Sequence, residues 1–168
     1  AFPSGTDYLK VPAGSYDFAV SATGASVDQS VLNINDIALG ADMRYTAVAF
    51  NTLDGIQALA LVDDPSGMQA GDIRIRAIHT ASGVGEVDIW NIPAEGGPSP
   101  LIENFGFGVA SGTLDLPAAA YTLGVDVDND ASPDLVFDIP NLPAGTYANV
   151  FAVNDGDSVF LLAQLDGD

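Results

Sequence analysis

The residues best spaced for chemistry are the carboxylates of residues 126–134, DVDNDASPD. Counted from Asp126, acidic side chains fall at the first, third, fifth and ninth places (Asp126, Asp128, Asp130 and Asp134), with Ser132 at the seventh. A hard cation such as Ca2+ takes roughly six to eight oxygens, and alternating carboxylates on a tight loop supply several at once. The match to a helix-flanked EF-hand loop is incomplete. Ala131 stands where that loop needs glycine, and Phe137 stands where a bidentate glutamate would close the cage, with Asp138 one place beyond. The functional expectation is a calcium loop of another kind, with Asp126, Asp128, Asp130 and Asp134 as ligands and Ca2+ as the cofactor. The plainer alternative is an acidic turn in which Asp and Asn bond their own backbone.

Other reactive side chains form no comparable pattern. His79 is the only histidine, so a multi-imidazole zinc site is excluded. Asp88 is its expected cross-strand partner in a structural pair. Ser82 and Ser111 are available hydroxyls, but neither lies in a G-x-S-x-G elbow. Two carboxylates could in principle hydrolyse a glycoside, yet with 23 acidic residues on the chain such proximity arises by chance. Glu95-Gly96-Gly97-Pro98 is glycine-rich without the Lys-Ser/Thr that a phosphate loop requires. There is no cysteine, hence no thiol nucleophile, thiolate metal site or disulfide. The chain is therefore not expected to be an enzyme. Among the aromatics, Trp90 closes an alternating stretch before the Pro-rich residues 92–100 and is the candidate ligand contact. Most of the tyrosines sit beside Pro-Ala turns, where an aromatic ring packs as a corner or core residue.

Short strands must position these groups. Residues 17–21 (DFAVS), 45–50 (YTAVAF), 56–62 (IQALALV), 72–79 (DIRIRAIH), 86–90 (EVDIW) and 147–153 (YANVFAV) are rich in β-branched or aromatic residues and bounded by Gly, Pro, Asn or Asp. The acidic loop falls between further strands at 121–125 and 135–139. Ile73, Ile75, Ala77 and His79 alternate with Arg74, Arg76 and Ile78, the period of a half-buried strand with two arginines on the wet face. Asn154-Asp155-Gly156-Asp157 reads as a hairpin turn. Asp63-Asp64 and Asp166–Asp168 read as solvated ends. No long stretch carries helical periodicity, and no apolar run approaches the roughly 20 residues that span a bilayer.

A repeat organises these strands. FPSGTDYLKVPAGSYDFAV (residues 2–20) aligns without a gap on FGVASGTLDLPAAAYTLGV (residues 107–125). Phe2 meets Phe107, Val11-Pro12-Ala13 meets Leu116-Pro117-Ala118, Tyr16 meets Tyr121 and Val20 meets Val125. The chain thus divides into a partial first unit (1–64), a polar linker (65–71) and a complete second unit (72–168). The first unit has no counterpart of residues 72–105. A fragment of a longer protein is one explanation. Intimate packing on the second unit, or a strand donated by a neighbouring chain, are the others, because uncovered sheet edges are costly.

Charge bounds the partners. Four basic residues (Lys10, Arg44, Arg74, Arg76) face 23 acidic ones, a net charge of −19. Nucleic acid and anionic membrane surfaces repel such a chain. The acids are almost all Asp, which favours turns, rather than Glu, which favours helices. Hydrophobic residues at 48% are enough for a packed core. The sequence opens on Ala1-Phe2-Pro3-Ser4 with no signal peptide visible, and so reads as a mature or excised segment.

The strand order also resembles a known family. Ile73-Arg74-Ile75-Arg76-Ala77-Ile78-His79-Thr80-Ala81-Ser82, Val87-Asp88-Ile89-Trp90, Leu116-Pro117-Ala118 before Tyr121, and Leu142-Pro143-Ala144-Gly145-Thr146-Tyr147 are similar to the motifs of the bacterial secreted family called domain of unknown function 4397. The resemblance covers residues 72–168 well and residues 1–64 in part, through Leu9-Lys10-Val11-Pro12-Ala13-Gly14-Ser15-Tyr16. It departs from the family at Ala118-Ala119-Ala120, where glycine is usual, and in the acidic loop. It implies a secreted or cell-surface β-sandwich, often in tandem, and carries over no catalytic residue.

The combined expectation is an all-β, antiparallel, immunoglobulin-like or transthyretin-like sandwich in tandem units. Its expected function is that of a non-enzymatic extracellular or cell-surface structural or adhesive module, calcium-stabilised at the acidic loop. Its expected partners are other surface proteins or copies of itself. Two alternatives stand beside this: a subunit of an extracellular filament completed by a neighbouring chain's strand, and a carbohydrate-binding module using Trp90.

Overall fold

The computed structural model describes residues 4–156 and 158–166. Phe2 of the repeat, Asp157 of the hairpin turn and Asp168 of the chain end lie outside the described residues. Strands and two short 3-10 turns (Val27–Gln29 and Leu53–Gly55) make up the regular structure. Among the described residues no helix is long and apolar enough to cross a membrane. The chain forms two compact units, Thr6–Asp64 and Pro65–Asp168.

The first unit is two antiparallel hairpins. Strand β1 (Gly14–Val20) pairs with β2 (Leu32–Leu39), with a bulge between Tyr16 and Phe18. Strand β3 (Tyr45–Phe50) pairs with β4 (Gln57–Val62) from Tyr45 opposite Val62 to Phe50 opposite Gln57. Asp63, expected to be a solvated end, is instead buried at 2% exposure. The Tyr8 hydroxyl (2.7 Å) and the Thr46 hydroxyl (2.5 Å) both donate to its Oδ2, and these bonds replace the water that a carboxylate would otherwise keep.

The second unit is a two-sheet sandwich. Its strands are β5 (Asp72–His79), β6 (Val87–Asn91), β7 (Ser99–Phe105), β8 (Leu114–Pro117), β9 (Tyr121–Asp126), β10 (Leu135–Ile139), β11 (Tyr147–Asp155) and β12 (Ser158–Asp166). One sheet has the order β12-β11-β5-β8 and the other β10-β9-β6-β7. Pairings are antiparallel except β5 on β11, which is parallel, with Arg74 opposite Tyr147 and His79 opposite Ala152. β5 opens the unit and β11 nearly closes it, so the two meet only after the chain has crossed to the other sheet and returned. Residues 92–100, read as a Pro-rich loop, already enter β7 at Ser99.

Between the sheets lies the core. Ile73, Ile75, Leu142, Ala148 and Val150 form its buried cluster, with Leu116, Tyr121, Ile139 and Leu161 packed against it. The alternation of β5 sets this face, as the spacing predicts. The expectation of two arginines on a wet face is corrected, because Arg76 is buried. Its Nε donates to Asn149 Oδ1 (2.9 Å), and its guanidinium lies 5.6 Å from the Tyr147 ring centroid. Arg74 holds Asp115 through two bonds, Nε to Oδ1 (2.6 Å) and a terminal nitrogen to Oδ2 (2.7 Å). Planar guanidinium groups with apolar stems cover neighbouring strands in a way that lysine would not.

One contact is common to the two units. The Tyr16 hydroxyl donates to the Pro12 carbonyl at 2.7 Å, and the Tyr121 hydroxyl donates to the Pro117 carbonyl at 2.7 Å. In both units the Pro-Ala turn is therefore braced by the tyrosine four residues later.

Candidate functional site

The acidic loop leaves β9 at Asp126 and enters β10 at Leu135. Its base is set by strand pairing, with Val125 opposite Leu135. Asp126 is fully buried, and its carboxylate gathers the loop's backbone. Oδ1 accepts the N–H of Asp128 (3.2 Å) and of Asn129 (2.7 Å), and Oδ2 accepts the N–H of Ala131 (2.8 Å). Around it, Asp134 Oδ2 accepts the Val127 N–H (2.9 Å) and Asp130 Oδ1 accepts the Ser132 N–H (2.9 Å). Asn129 (φ 58°) and Ala131 (φ 67°) take the left-handed conformation. For alanine this costs about 1–2 kcal/mol. The bond from Ala131 N–H to the buried carboxylate holds it there, at the place where an EF-hand would use glycine.

Gly124 fixes the loop from below. A Cβ at this position would meet the Pro133 ring at 2.6 Å and Ile92 Cδ1 at 3.0 Å. Only a residue without a side chain lets Pro133 fold back over β9.

The loop's electrostatics divide its carboxyls into two kinds. Burial by itself would raise the Asp126 carboxyl, but the N–H groups of Asn129, Ala131, Asp128 and Asp130 outweigh it and hold the group below its ordinary value. Asp128 is pushed the other way, first by the neighbouring charge of Asp130, then by burial and the charges of Asp134 and Asp126. Oxygens of Asp126, Asp128 and Asp130 lie within 4.8 Å of one another. Of the four residues expected to be ligands, these three are brought together. Asp134 lies outside that group, its Oδ2 on the Val127 N–H. The arrangement does two things chemically: it ties a turn to a buried anion, and it stores like-charge repulsion that a divalent cation would relieve.

His79 and Asp88 do not meet. They lie on strands of different sheets. Nε2 of His79 is 2.9 Å from the Gly85 carbonyl, and Asp88 Oδ1 accepts the Asn104 N–H at 2.7 Å. His79 is buried between the rings of Phe105 (6.0 Å) and Phe107 (5.9 Å). Its Nδ1 has no hydrogen-bond partner among the described residues. Burial lowers its pKa from 6.5, partly offset by the bond to Gly85. As pH falls below 6.5 the unfolded chain takes up the proton first, so the second unit loses stability until the lower folded value is reached. His79→Gln is expected to abolish this part of the acid slope, as read by denaturant midpoints between pH 7 and 5. An unchanged slope would place its origin elsewhere.

Trp90 lies in β6, opposite Gly124 of β9 and Pro100 of β7. It is half-buried, and its indole N–H is buried without a partner among the described residues. Ser111 Oγ accepts the Ala77 N–H (3.0 Å) and donates to the Gly112 carbonyl (2.7 Å). The Ser82 N–H donates to Asn154 Oδ1 (2.9 Å).

Sequence reading missed the buried polar contacts of Asp63, Arg76 and Asn149, which join residues far apart in the chain. It also missed Gly124, whose only sequence signal is a glycine inside a strand pattern.

The family model described as Domain of unknown function (DUF4397) matches residues 1–90. This span takes in the first unit, β5 and most of β6, whereas the motif resemblance was drawn most fully on residues 72–168. No curated protein matches the chain.

Proposed function

The chain belongs to the DUF4397 family, and from that premise we propose that it serves as a non-enzymatic structural module of an extracellular or cell-surface protein, stiffened by calcium at the acidic turn. The observation that carries this reading is the turn of residues 126–134. Three carboxylates converge there, and one of them is already buried as the anchor of the loop backbone. A cation beside Asp128 and Asp130 would neutralise their mutual repulsion and lock the connection between β9 and β10. The side chains that could have carried catalysis hold backbone instead: His79 contacts the Gly85 carbonyl, Asp88 the Asn104 N–H and Ser111 the Gly112 carbonyl. A net charge of −19 suits a setting rich in divalent cations.

Thermal melts test the reading. At millimolar calcium the midpoint of the second unit is expected to rise by about 5 °C over a sodium chloride control of equal ionic strength. The double variant Asp128→Asn, Asp130→Asn is expected to abolish the difference. Equal midpoints in calcium and in sodium would refute calcium stiffening.

A further inference from the structure

The two sheets of the second unit leave a space between them. It is a cavity of about 60 Å3, with Ala77, His79 and Ala152 on one wall and Val87, Ile89 and Phe105 on the other. The space has a cause in the sequence. His79 and Ala152 are neighbours in the parallel pairing of β5 on β11, and alanine leaves unfilled the room beside the imidazole that a longer side chain would take.

The imidazole in this wall is fixed on several sides. Its Nε2 is 2.9 Å from the Gly85 carbonyl. A carbonyl only accepts, so Nε2 carries the hydrogen and Nδ1 presents a lone pair. The rings of Phe105 and Phe107 flank it at 6.0 and 5.9 Å. The backbone of His79 has its own partners: its N–H donates to the Val109 carbonyl (3.0 Å), and its carbonyl accepts the Gly108 N–H (2.7 Å). His79 is 1% exposed, and its Nδ1 has no hydrogen-bond partner among the described residues. The other polar side chain in the cavity wall, Tyr121, donates its hydroxyl to the Pro117 carbonyl. The cavity therefore offers one side-chain acceptor in a lining of hydrocarbon.

That combination selects a ligand. A buried water takes roughly two to four polar partners, and this wall supplies one. A pure hydrocarbon fills the space but leaves a buried acceptor unpaired, which is costly. A short alkyl chain ending in one hydroxyl meets both demands. Size limits it further. The cavity has about twice the volume that one molecule occupies in liquid water, roughly 30 Å3, and less than half of the roughly 150 Å3 that admits benzene.

We infer that the interior of the second unit is a binding site for a small neutral aliphatic alcohol, whose O–H donates to His79 Nδ1 and whose alkyl end lies between Ala152 and Phe105. This goes beyond the scaffold reading and does not depend on calcium at the acidic turn.

The test titrates the full chain with ethanol and, separately, with propane, an apolar molecule with the same number of non-hydrogen atoms. Ethanol is expected to bind saturably with a midpoint of about 10–100 mM, with nuclear Overhauser contacts from its methyl group to Val87 and Phe105. The 15N resonance of His79 Nδ1 should move upfield along the same curve, and propane should leave it in place. Ala152→Val fills the space and should abolish both the contacts and the shift. His79→Phe removes the acceptor and should weaken ethanol about tenfold more than propane. Trp90 fluorescence reports whether each variant is folded. If His79→Phe does not fold, the Nδ1 shift and Ala152→Val still decide the matter. Absence of saturable ethanol contacts would overturn the inference. So would an Nδ1 shift of equal size with propane, or undiminished ethanol binding by Ala152→Val.

Discussion

Replacing Asp126 with alanine is expected to lower the melting midpoint of the second unit by about 10 °C or more. The carboxylate is fully buried and accepts three backbone N–H groups, so its removal takes away the acceptor that ties all three to the end of β9. Ala131 would also lose the bond that holds its positive φ. Asp126→Asn should lie between, since an amide oxygen can still accept from Asp128 and Asn129 while its NH2 group would face the Ala131 N–H. The pH dependence follows from the direction of the shift. The folded carboxyl lies below its ordinary value, so its contribution is present above the unfolded pKa and is lost as pH falls through the lower folded one. In Asp126→Ala the last, most acidic part of the unfolding curve should flatten, while the His79 portion nearer neutrality stays. Trp90, the only tryptophan and a second-unit residue, gives a fluorescence readout specific to this unit. A midpoint within about 2 °C of the parent would show that the loop closes without its buried anchor.

Ile73→Ala is expected to cost the second unit roughly 2–5 kcal/mol in urea denaturation, a large share of the roughly 5–15 kcal/mol typical of a domain. Ile73 has no exposed surface and sits in the core cluster on β5, between β8 and β11. Strand pairing on both sides prevents the backbone from closing over the cavity. Val136→Ala provides the comparison. Val136 is 59% exposed on the edge strand β10, and its truncation should change the unfolding free energy by less than about 0.5 kcal/mol. Similar costs for the two variants would mean that the sheets do not meet as the Ile73 environment requires.

Both effects rest on different degrees of legibility in the sequence. Alternation in residues 72–79 marks Ile73 and Ile75 as core residues because strand period and burial are local properties. The placing of Tyr16 and Tyr121 after their Pro-Ala turns is equally local, and each tyrosine bonds a carbonyl four residues back. The acidic turn was recognisable from spacing alone. Its mechanics were not, because whether Asp126 faces a cation or its own backbone depends on how deep the β9 end sits under Pro133. Arg76 and Asp63 were misjudged for a related reason. Charge predicts solvent exposure only until a distant residue offers a bond, and Asn149 and Tyr8 are 73 and 55 positions away. The β5–β11 pairing was hidden as well, since parallel neighbours leave no turn between them to read.

That pairing also governs how the second unit would bear tension. β12 runs back along β11, bringing Asp166 level with Tyr147, which faces Arg74 near the start of β5. Both ends of the load path therefore emerge on the same side, and a pull separates β12 from its neighbour one rung at a time, like a zip. Once β12 is gone, the remaining pull acts from the start of β5 to the far end of β11. These strands are parallel, so every rung between them is loaded together. The unit would yield early and cheaply at its last strand and then resist as a clamp.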